Sequence, residues 1–264
     1  MNVPSYGNCA APTHSFIVPV DLVGSTALVT GATAGIGRAS ALGLAALGAE
    51  VVVHGRDAER GAETVRDIES QGGKARFVAA DLSDAEQVRA LASAAGEVDI
   101  LVNNAGVYRF GPTVEIDDAS FTEHIDTNLR APFILVQQLA PGMAARGHGS
   151  IVNVSTFAAS VPARGGGIYG ASKAGLELMT HIWADEFGPD GVRVNAVAAG
   201  PTRTPGTAVY GEAWEVAATM TTLRRVADAN EIANAIVFLS SPSASYVSGA
   251  VLQVHGGLPA AAPR

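Results

Sequence analysis

The chain of 264 residues is long enough to bury a large core and falls within the range that α/β proteins fill as one domain. Hydrophobic residues make up 48% of it and charged residues 16%, which excludes a disordered chain, and its 30 glycines suit a tightly wound α/β fold. A net charge of −8 without any cluster of Lys and Arg disfavours binding to nucleic acid, and a single cysteine excludes an internal disulfide and a cysteine-based metal cluster.

The N-terminal segment carries no targeting signal that we recognise. The first 20 residues contain neither Lys nor Arg, and their one compact apolar stretch, FIVPV, is far shorter than a signal-peptide core. No uninterrupted apolar run reaches the roughly 20 residues of a membrane helix. The sequence therefore predicts a cytoplasmic protein with a short N-terminal extension at 1–21 and a single domain at 22–264.

Strand and helix patterns alternate from Thr26 onward. The candidate strands are TALVT, EVVVH, ARFVA, DILVN, SIVNVS, VRVNAVA and AVLQVH. The candidate helices are GRASALGLAALG, AERGAETVRDIESQG, DAEQVRALASAAG, SFTEHIDTNLRAPFILVQQLAPGMAARG, YGASKAGLELMTHIWADEFG and DANEIANAIVFLSS. Because such alternation specifies parallel strands joined by right-handed crossovers, we predict a doubly wound, Rossmann-type α/β sheet with helices on both faces.

A glycine-rich turn follows the first predicted strand. TALVTGATAGIGRAS places Gly31, Gly35 and Gly37 between that strand and the first helix. Glycine permits the tight turn and lets backbone N–H groups and the helix N-terminus approach a pyrophosphate. The position after the first strand of a βαβ unit makes a dinucleotide site the favoured interpretation, against a packing turn without ligand.

The chain resembles the short-chain dehydrogenase/reductase family in four motifs that stand in the family's order and separation. They are TGATAGIG, NNAG at 103–106, YGASK at 169–173 and VRVNAVAAGPTRT at 192–204, and the resemblance extends from about Leu22 to Gly257. It implies a single-domain oxidoreductase that moves a hydride between a nicotinamide cofactor and a carbonyl or alcohol carbon. Within the family, the chain is most similar in general terms to the 3-oxoacyl-carrier-protein reductase type.

The resemblance also implies the cofactor contacts. The matching positions are Gly31, Thr33, Gly35, Ile36, Gly37, Arg56, Asp81, Leu82, Asn104, Ala105, Gly106, Tyr169, Lys173, Gly200, Thr202 and Thr204. Family members that use NAD usually carry Asp at the end of the second strand, where this chain has Gly55 followed by Arg56. Since an arginine accommodates the 2′-phosphate, NADP(H) is favoured; the alternative is that Asp57 faces the ribose and NAD(H) is used.

Four residues match the family's catalytic positions. Tyr169 is the expected general acid/base, and Lys173, one helical turn later, is expected to lower the Tyr169 pKa and grip the nicotinamide ribose. Counting back from Tyr169 places the substrate-orienting hydroxyl at Thr156, where the family usually has serine, with Ser155 as the alternative. Asn128 matches the family asparagine that anchors a water relay leading from Lys173.

The remaining expectations concern substrate and assembly. The segment at 204–227 is predicted to be a substrate lid, moderately apolar through Val209, Tyr210, Trp214, Val216 and Met220. No metal is expected, because the histidines lack metal-site spacing. The resemblance predicts a homotetramer built on the helices at about 120–146 and 169–188. A small-molecule carbonyl or alcohol is the expected substrate, and a catalytically silent dinucleotide sensor remains an alternative from another class.

Overall fold

The computed structural model describes residues 21–162, 164–211 and 216–257. Seven parallel strands form the main sheet in the order β3-β2-β1-β4-β5-β6-β9, and a short pair, β7-β8, lies apart from it. The bounds are β1 Thr26–Val29, β2 Glu50–Gly55, β3 Lys74–Ala79, β4 Ile100–Asn103, β5 Gly149–Thr156, β6 Val192–Ala199, β7 Thr202–Arg203, β8 Ala227–Asp228 and β9 Val251–Val254. The predicted α/β fold with a parallel sheet is confirmed.

Helices connect the strands on both faces of the sheet. Their bounds are α1 Gly35–Ala46, α2 Ala58–Ser70, α3 Ala85–Ala95, α4 Asp118–Ile125, α5 Ala131–Arg146, α6 Gly167–Phe187 and α7 Ala229–Ser240. The helix predicted from about 120 to 146 is divided by a π-helical turn at Asp126–Arg130, between α4 and α5. Such turns insert an extra residue and are frequent at functional sites.

Two hydrophobic cores cover the sheet, one on each face. Successive side chains of a strand point to opposite faces, so Leu28 of β1 lies in one core and Val29 in the other. Helices α3, α5 and α6 cover the first face, while α1, α2 and α7 cover the second. Both faces are therefore buried, which explains why the strands are apolar nearly throughout.

The strand order reverses between β1 and β4. From β1 the chain winds outward through β2 and β3, then returns to place β4 on the other side of β1. In open parallel sheets this reversal leaves a crevice beyond the carboxyl ends of the strands, and ligands bind there. The fold thus brings the glycine turn after β1 and the NNAG segment after β4 to the same crevice.

Parts of two predicted segments fall outside the described residues. Of the predicted extension at 1–21 only Asp21 is described, and the predicted lid lacks 212–215, including Trp214. Among the described helices, none has the length and hydropathy needed to cross a membrane.

Candidate functional site

The turn between β1 and α1 requires glycine at three points. Gly31 and Gly35 have φ values of +63° and +53°, in the left-handed region that favours glycine. A Cβ on Gly37 would collide with the backbone of Gly31, so α1 can approach the turn this closely only because residue 37 has no side chain. Helix α1 has no side-chain cap and no acidic residue in its first turn. Its N-terminal N–H groups and positive dipole end therefore suit a pyrophosphate.

His54, a buried residue of β2, holds the glycine turn in place. Its Nδ1 accepts a hydrogen bond from Gly31 N at 3.2 Å, while its Nε2 lies 3.1 Å from the carbonyl oxygen of Ala80. These two contacts require the neutral ring with the proton on Nε2. Burial is the main reason that the pKa of His54 is lowered to about 4. Sequence reasoning considered the histidines only as metal ligands and missed this role of His54. The signal available was its position next to Gly55 at the carboxyl end of β2.

The end of β2 carries the residues that choose between NAD and NADP. A Cβ on Gly55 would lie 2.5 Å from Thr33 Cγ2, so an aspartate there would displace Thr33. Asp57 caps α2, accepting from Glu59 N and Arg60 N at 3.0 and 3.1 Å. Arg56 is exposed and borders an open groove. The carboxylate of Asp57 is thus committed to its own helix, whereas the Arg56 guanidinium faces solvent beside the groove.

The residues that follow β3 and β4 border the same crevice as the turn after β1 and the end of β2. Asp81 accepts hydrogen bonds from Ser83 N and Oγ at 3.0 and 2.8 Å, and the first of these is the main cause of its lowered pKa. Leu82 packs its side chain into the core, so that only its backbone can border a ligand. Asn104 Nδ2 donates to Thr30 O at 2.8 Å, and Ala105 N donates to Thr30 Oγ1 at 3.0 Å. The NNAG segment is therefore fastened to the turn after β1.

The two hydroxyls at the end of β5 point to different partners. Ser155 Oγ donates to Glu177 Oε1 of α6 at 2.6 Å, whereas the Thr156 hydroxyl lies close enough to Tyr169 to lower the pKa of its phenol. Adjacent residues of a strand face opposite sides, which is why only one of the two can reach Tyr169. The geometry favours Thr156 as the substrate-orienting hydroxyl.

The expected lowering of the Tyr169 pKa is wrong for this structure. Burial raises the pKa of Tyr169 to about 12, and the nearby Thr156 hydroxyl opposes this only in part. Lys173 Nζ donates to Val154 O at 2.8 Å, and burial lowers the Lys173 pKa to about 8. Lys173 remains mostly protonated at neutral pH, but it is not among the groups that shift the Tyr169 pKa, so desolvation of the phenol dominates.

Asn128 joins the π-helical turn to the loop after β4 and to α6. Its Oδ1 accepts from Val107 N at 2.8 Å, and its Nδ2 donates to Val107 O and Ser172 Oγ at 2.9 and 3.1 Å. A Cβ on Gly106 would lie 3.1 Å from Asn128 Oδ1 and 3.3 Å from Lys173 Nζ. Glycine at 106 therefore leaves space beside both side chains, and Asn128 Oδ1, which accepts one hydrogen bond, keeps a second lone pair.

The chain after β6 closes over the glycine turn. A Cβ on Gly200 would lie 2.6 Å from the His255 Cα, so glycine is needed there. Thr202 Oγ1 donates to Gly200 O at 2.9 Å, and a Cβ on Gly35 would lie 3.0 Å from Thr204 Cγ2. The two threonines implied by the resemblance thus lie in the segment that covers the N-terminus of α1. In the part of the chain that the structure describes, no group of three or more His, Cys, Asp or Glu side chains is arranged to hold a metal ion.

Known proteins are similar in sequence to this chain over most of its length. A family model described as enoyl-(acyl carrier protein) reductase matches residues 31–259. A 3-oxoacyl-[acyl-carrier-protein] reductase of Thermotoga maritima is 36% identical over 242 residues, covering 90% of this chain and 98% of that protein.

Solved structures of similar sequence also share the fold of this chain. One described as a short chain dehydrogenase/reductase family protein is 52% identical, with a TM-score of 0.86 and coverage of 90% of this chain and 98% of its own. A 3-oxoacyl (acyl-carrier-protein) reductase from Agrobacterium tumefaciens C58, solved with NADP bound, is 31% identical with a TM-score of 0.86, covering 90% of this chain and 95% of that one. The crevice, the glycine turn and these similarities together show that the chain belongs to the short-chain dehydrogenase/reductase family, which confirms the predicted family of oxidoreductases.

Proposed function

We propose that the protein is an NADP(H)-dependent oxidoreductase that interconverts a small carbonyl compound and its secondary alcohol. The observation that carries this proposal is the placement of Thr156, Tyr169 and Lys173 together at the carboxyl end of β5: Thr156 lies close enough to lower the pKa of the Tyr169 phenol, and Lys173 Nζ donates to Val154 O at 2.8 Å. A phenol, a second hydroxyl and an ammonium at the carboxyl edge of a Rossmann-type sheet provide an acid, an oxyanion donor and a positive charge.

The protein's own residues would act as follows. Tyr169, whose pKa of about 12 keeps it protonated at neutral pH, gives its proton to the carbonyl oxygen in the direction of reduction. Thr156 donates a hydrogen bond to the same oxygen as negative charge develops on it. Lys173 favours the phenolate that remains, and Asn128 would anchor the water through which that proton is replaced. NADPH, when bound, supplies the hydride to the carbonyl carbon.

The residues of the crevice fit a dinucleotide with a 2′-phosphate. Helix α1 offers its uncapped N-terminus to the pyrophosphate. Arg56 is exposed beside the groove, whereas Asp57 is committed to capping α2. Arginine binds phosphate through several N–H donors, while an acidic group would repel it. The relative from Agrobacterium tumefaciens that carries NADP supports the same preference.

The remaining site assignments are part of the proposal. Thr202 and Thr204 would border the nicotinamide, and the lid predicted at 204–227 would cover the substrate. Among its described residues, Val209, Val216 and Met220 are 81%, 64% and 43% exposed. Apolar side chains left in solvent at the mouth of a crevice suit a segment that closes on a ligand.

We also propose a homotetramer in the cytoplasm. Helices α5 and α6 expose Phe133, Leu178 and Ile182, which are 45%, 60% and 38% accessible. Large apolar side chains on two neighbouring helices suit a paired-helix interface. The single cysteine of the sequence suits a reducing compartment. Size-exclusion chromatography with light scattering tests the assembly, and a stable monomer would contradict it.

Fluorescence titration with NADPH and NADH, followed by absorbance assays with ketones, tests the function. We expect tighter binding of NADPH and oxidation of NADPH by at least one ketone, with Tyr169→Phe as the inactive control that still binds cofactor. Tighter binding of NADH would favour the alternative, an NAD-dependent dehydrogenase. Cofactor binding without any turnover would favour the catalytically silent sensor.

A further inference from the structure

Three aromatic rings beside Tyr169 form what we call the aromatic wall: Tyr108 and Phe110, which pack against the Tyr169 ring, and Tyr210, which packs against Phe110. The ring centroids of Tyr108 and Phe110 lie 6.4 and 5.7 Å from that of Tyr169, with interplanar angles of 65° and 75°. The ring of Tyr210 lies 6.2 Å from that of Phe110 at 67°. These are edge-to-face arrangements, the geometry that aromatic pairs prefer.

The segment at 108–111, which carries Tyr108 and Phe110, is held in position by contacts with other parts of the chain. A Cβ on Gly206 would collide with the Tyr108 hydroxyl, so Tyr108 packs closely on the segment after β7. Gly111 N donates to Gly165 O at 2.8 Å, which ties the loop to the one that precedes α6. His124, fully buried in α4, accepts a hydrogen bond from Arg109 N at 3.1 Å. The rings are thus largely preformed around the reacting phenol.

Phe110 nevertheless has half of its surface uncovered. It is 47% exposed although its ring packs against those of Tyr169 and Tyr210. A flat apolar molecule that reached the Tyr169 hydroxyl would cover the exposed part of this ring. Burial of such a surface is favourable, and an aromatic partner adds edge-to-face attraction.

Three described basic residues stand near the wall in the chain or in the site: Arg109 between Tyr108 and Phe110, Arg164 beside Gly165, and buried Lys173 of α6. None of them is among the groups that shift the pKa of Tyr169. Arg109 pairs with Glu123 at 2.9 Å, and Arg203 lies 3.6 Å from Asp228. A bound carboxylate needs a cation or several N–H donors, so sugar acids are poor candidates.

The segment that follows the wall is acidic. Glu115, Asp117 and Asp118 are exposed at the start of α4 and just before it. Negative charge at this place repels an acidic partner, including an acyl carrier protein with an acidic surface. A substrate delivered by such a carrier is therefore also disfavoured.

We propose that the substrate is a free, uncharged ketone with an aromatic or alicyclic ring next to the carbonyl, and that Phe110 and Tyr210 select it. This inference rests on the proposed function for its reaction: the ketone carbon gains a hydride from NADPH and its oxygen gains the Tyr169 proton, giving a secondary alcohol and NADP+. Selection by the wall is a separate claim, because it concerns which molecule is held and not whether it reacts.

The first test compares kcat/KM with NADPH for acetophenone, cyclohexanone, pentan-2-one, 5-keto-D-gluconate and an acetoacetyl thioester of N-acetylcysteamine. We expect the two cyclic ketones to exceed the sugar acid and the thioester by at least about tenfold, the scale of discrimination that a hydrophobic pocket provides. A sugar acid or thioester as the best substrate would overturn the inference while leaving the proposed function intact.

Substitutions then test the wall itself. Phe110→Leu keeps an apolar side chain without the ring and should lower kcat/KM for acetophenone by about 3- to 10-fold, with a change of less than about twofold for pentan-2-one. The matched control is Phe238→Leu, since Phe238 is 42% exposed on α7 and lies outside the wall. Equal effects of Phe110→Leu on both ketones would overturn the role of the ring.

A binding measurement separates the pocket from the chemistry. Saturation-transfer NMR with 1-phenylethanol and NADPH reports contact without turnover, because alcohol and reduced cofactor do not react together. Signal in the wild type that falls in Phe110→Leu supports the wall even if no ketone is reduced, and the proposed function would then fail alone. No signal for 1-phenylethanol would overturn the inference, whatever the activity toward other ketones.

Discussion

Acid should weaken this fold through His54. The folded protein holds the neutral ring, because Nδ1 accepts the Gly31 N–H and Nε2 donates to Ala80 O. A proton on Nδ1 would oppose one N–H to another. Burial is the main cause of the low pKa; Arg56 lowers it further, while Asp81 and the Ala80 contact raise it.

The magnitude follows from the two pKa values. The folded-state pKa of His54 is about 4, against 6.5 for an ordinary histidine. Below pH 6.5 the unfolded chain takes up a proton that the folded chain refuses until about pH 4. The stabilisation from the neutral ring is therefore complete above pH 6.5 and disappears as pH falls toward 4. At about 1.4 kcal/mol per pKa unit, it amounts to about 3 kcal/mol.

Urea unfolding at pH 7.5 and pH 4.5, at one fixed protein concentration, measures this contribution. Asparagine in His54→Asn keeps an acceptor near Gly31 N but does not titrate. We expect the wild type to lose about 2 to 3 kcal/mol more unfolding free energy between the two pH values than the variant. The control is His181→Asn, at an exposed position of α6, which should retain the wild-type dependence. Equal losses in wild type and His54→Asn would refute the reasoning.

Four further predictions address the site. Tyr169→Phe should lower kcat by about 10²- to 10⁴-fold with unchanged NADPH binding, because it removes only proton transfer; turnover near normal in a stopped-flow assay would contradict this role. Thr156→Ala should lower kcat by about 10²- to 10³-fold, while Ser155→Ala, which loses only a contact with α6, should have a small effect; the reverse order would show that the register is wrong. Arg56→Gln should raise the Kd for NADPH by about tenfold and leave that for NADH nearly unchanged, as titration would show. Gly37→Ala should abolish binding of both cofactors in the same titration, because the added methyl collides with the turn; full affinity would refute this packing argument.

The sequence by itself determined the architecture and the family. Alternating strand and helix patterns predict a parallel sheet, since only a helix-length crossover can return the chain to start the next parallel strand. Glycine at 31, 35 and 37 also predicts the tight turn, because a left-handed φ and a close backbone approach favour glycine over every other residue type. These features are local, so they can be read from neighbouring positions.

The tertiary structure decided what depends on burial and on distant segments. Ser155 and Thr156 are adjacent hydroxyls in the sequence, and only the strand's alternation and the position of α6 assign one to Glu177 and the other to Tyr169. The raised Tyr169 pKa could not be predicted from its four-residue spacing to Lys173, because desolvation depends on everything packed around both groups.

The aromatic wall and the contacts of His54 with the glycine turn both join residues that are far apart in the chain. Tyr108 and Tyr210 are 102 positions apart in the chain, yet the Tyr210 hydroxyl donates to the Tyr108 carbonyl oxygen at 3.4 Å. His54 reaches the glycine turn across 23 positions and the end of β3 across 26. Residue spacing carries no information on such contacts, because the sheet order alone determines which loops meet at the carboxyl ends of the strands.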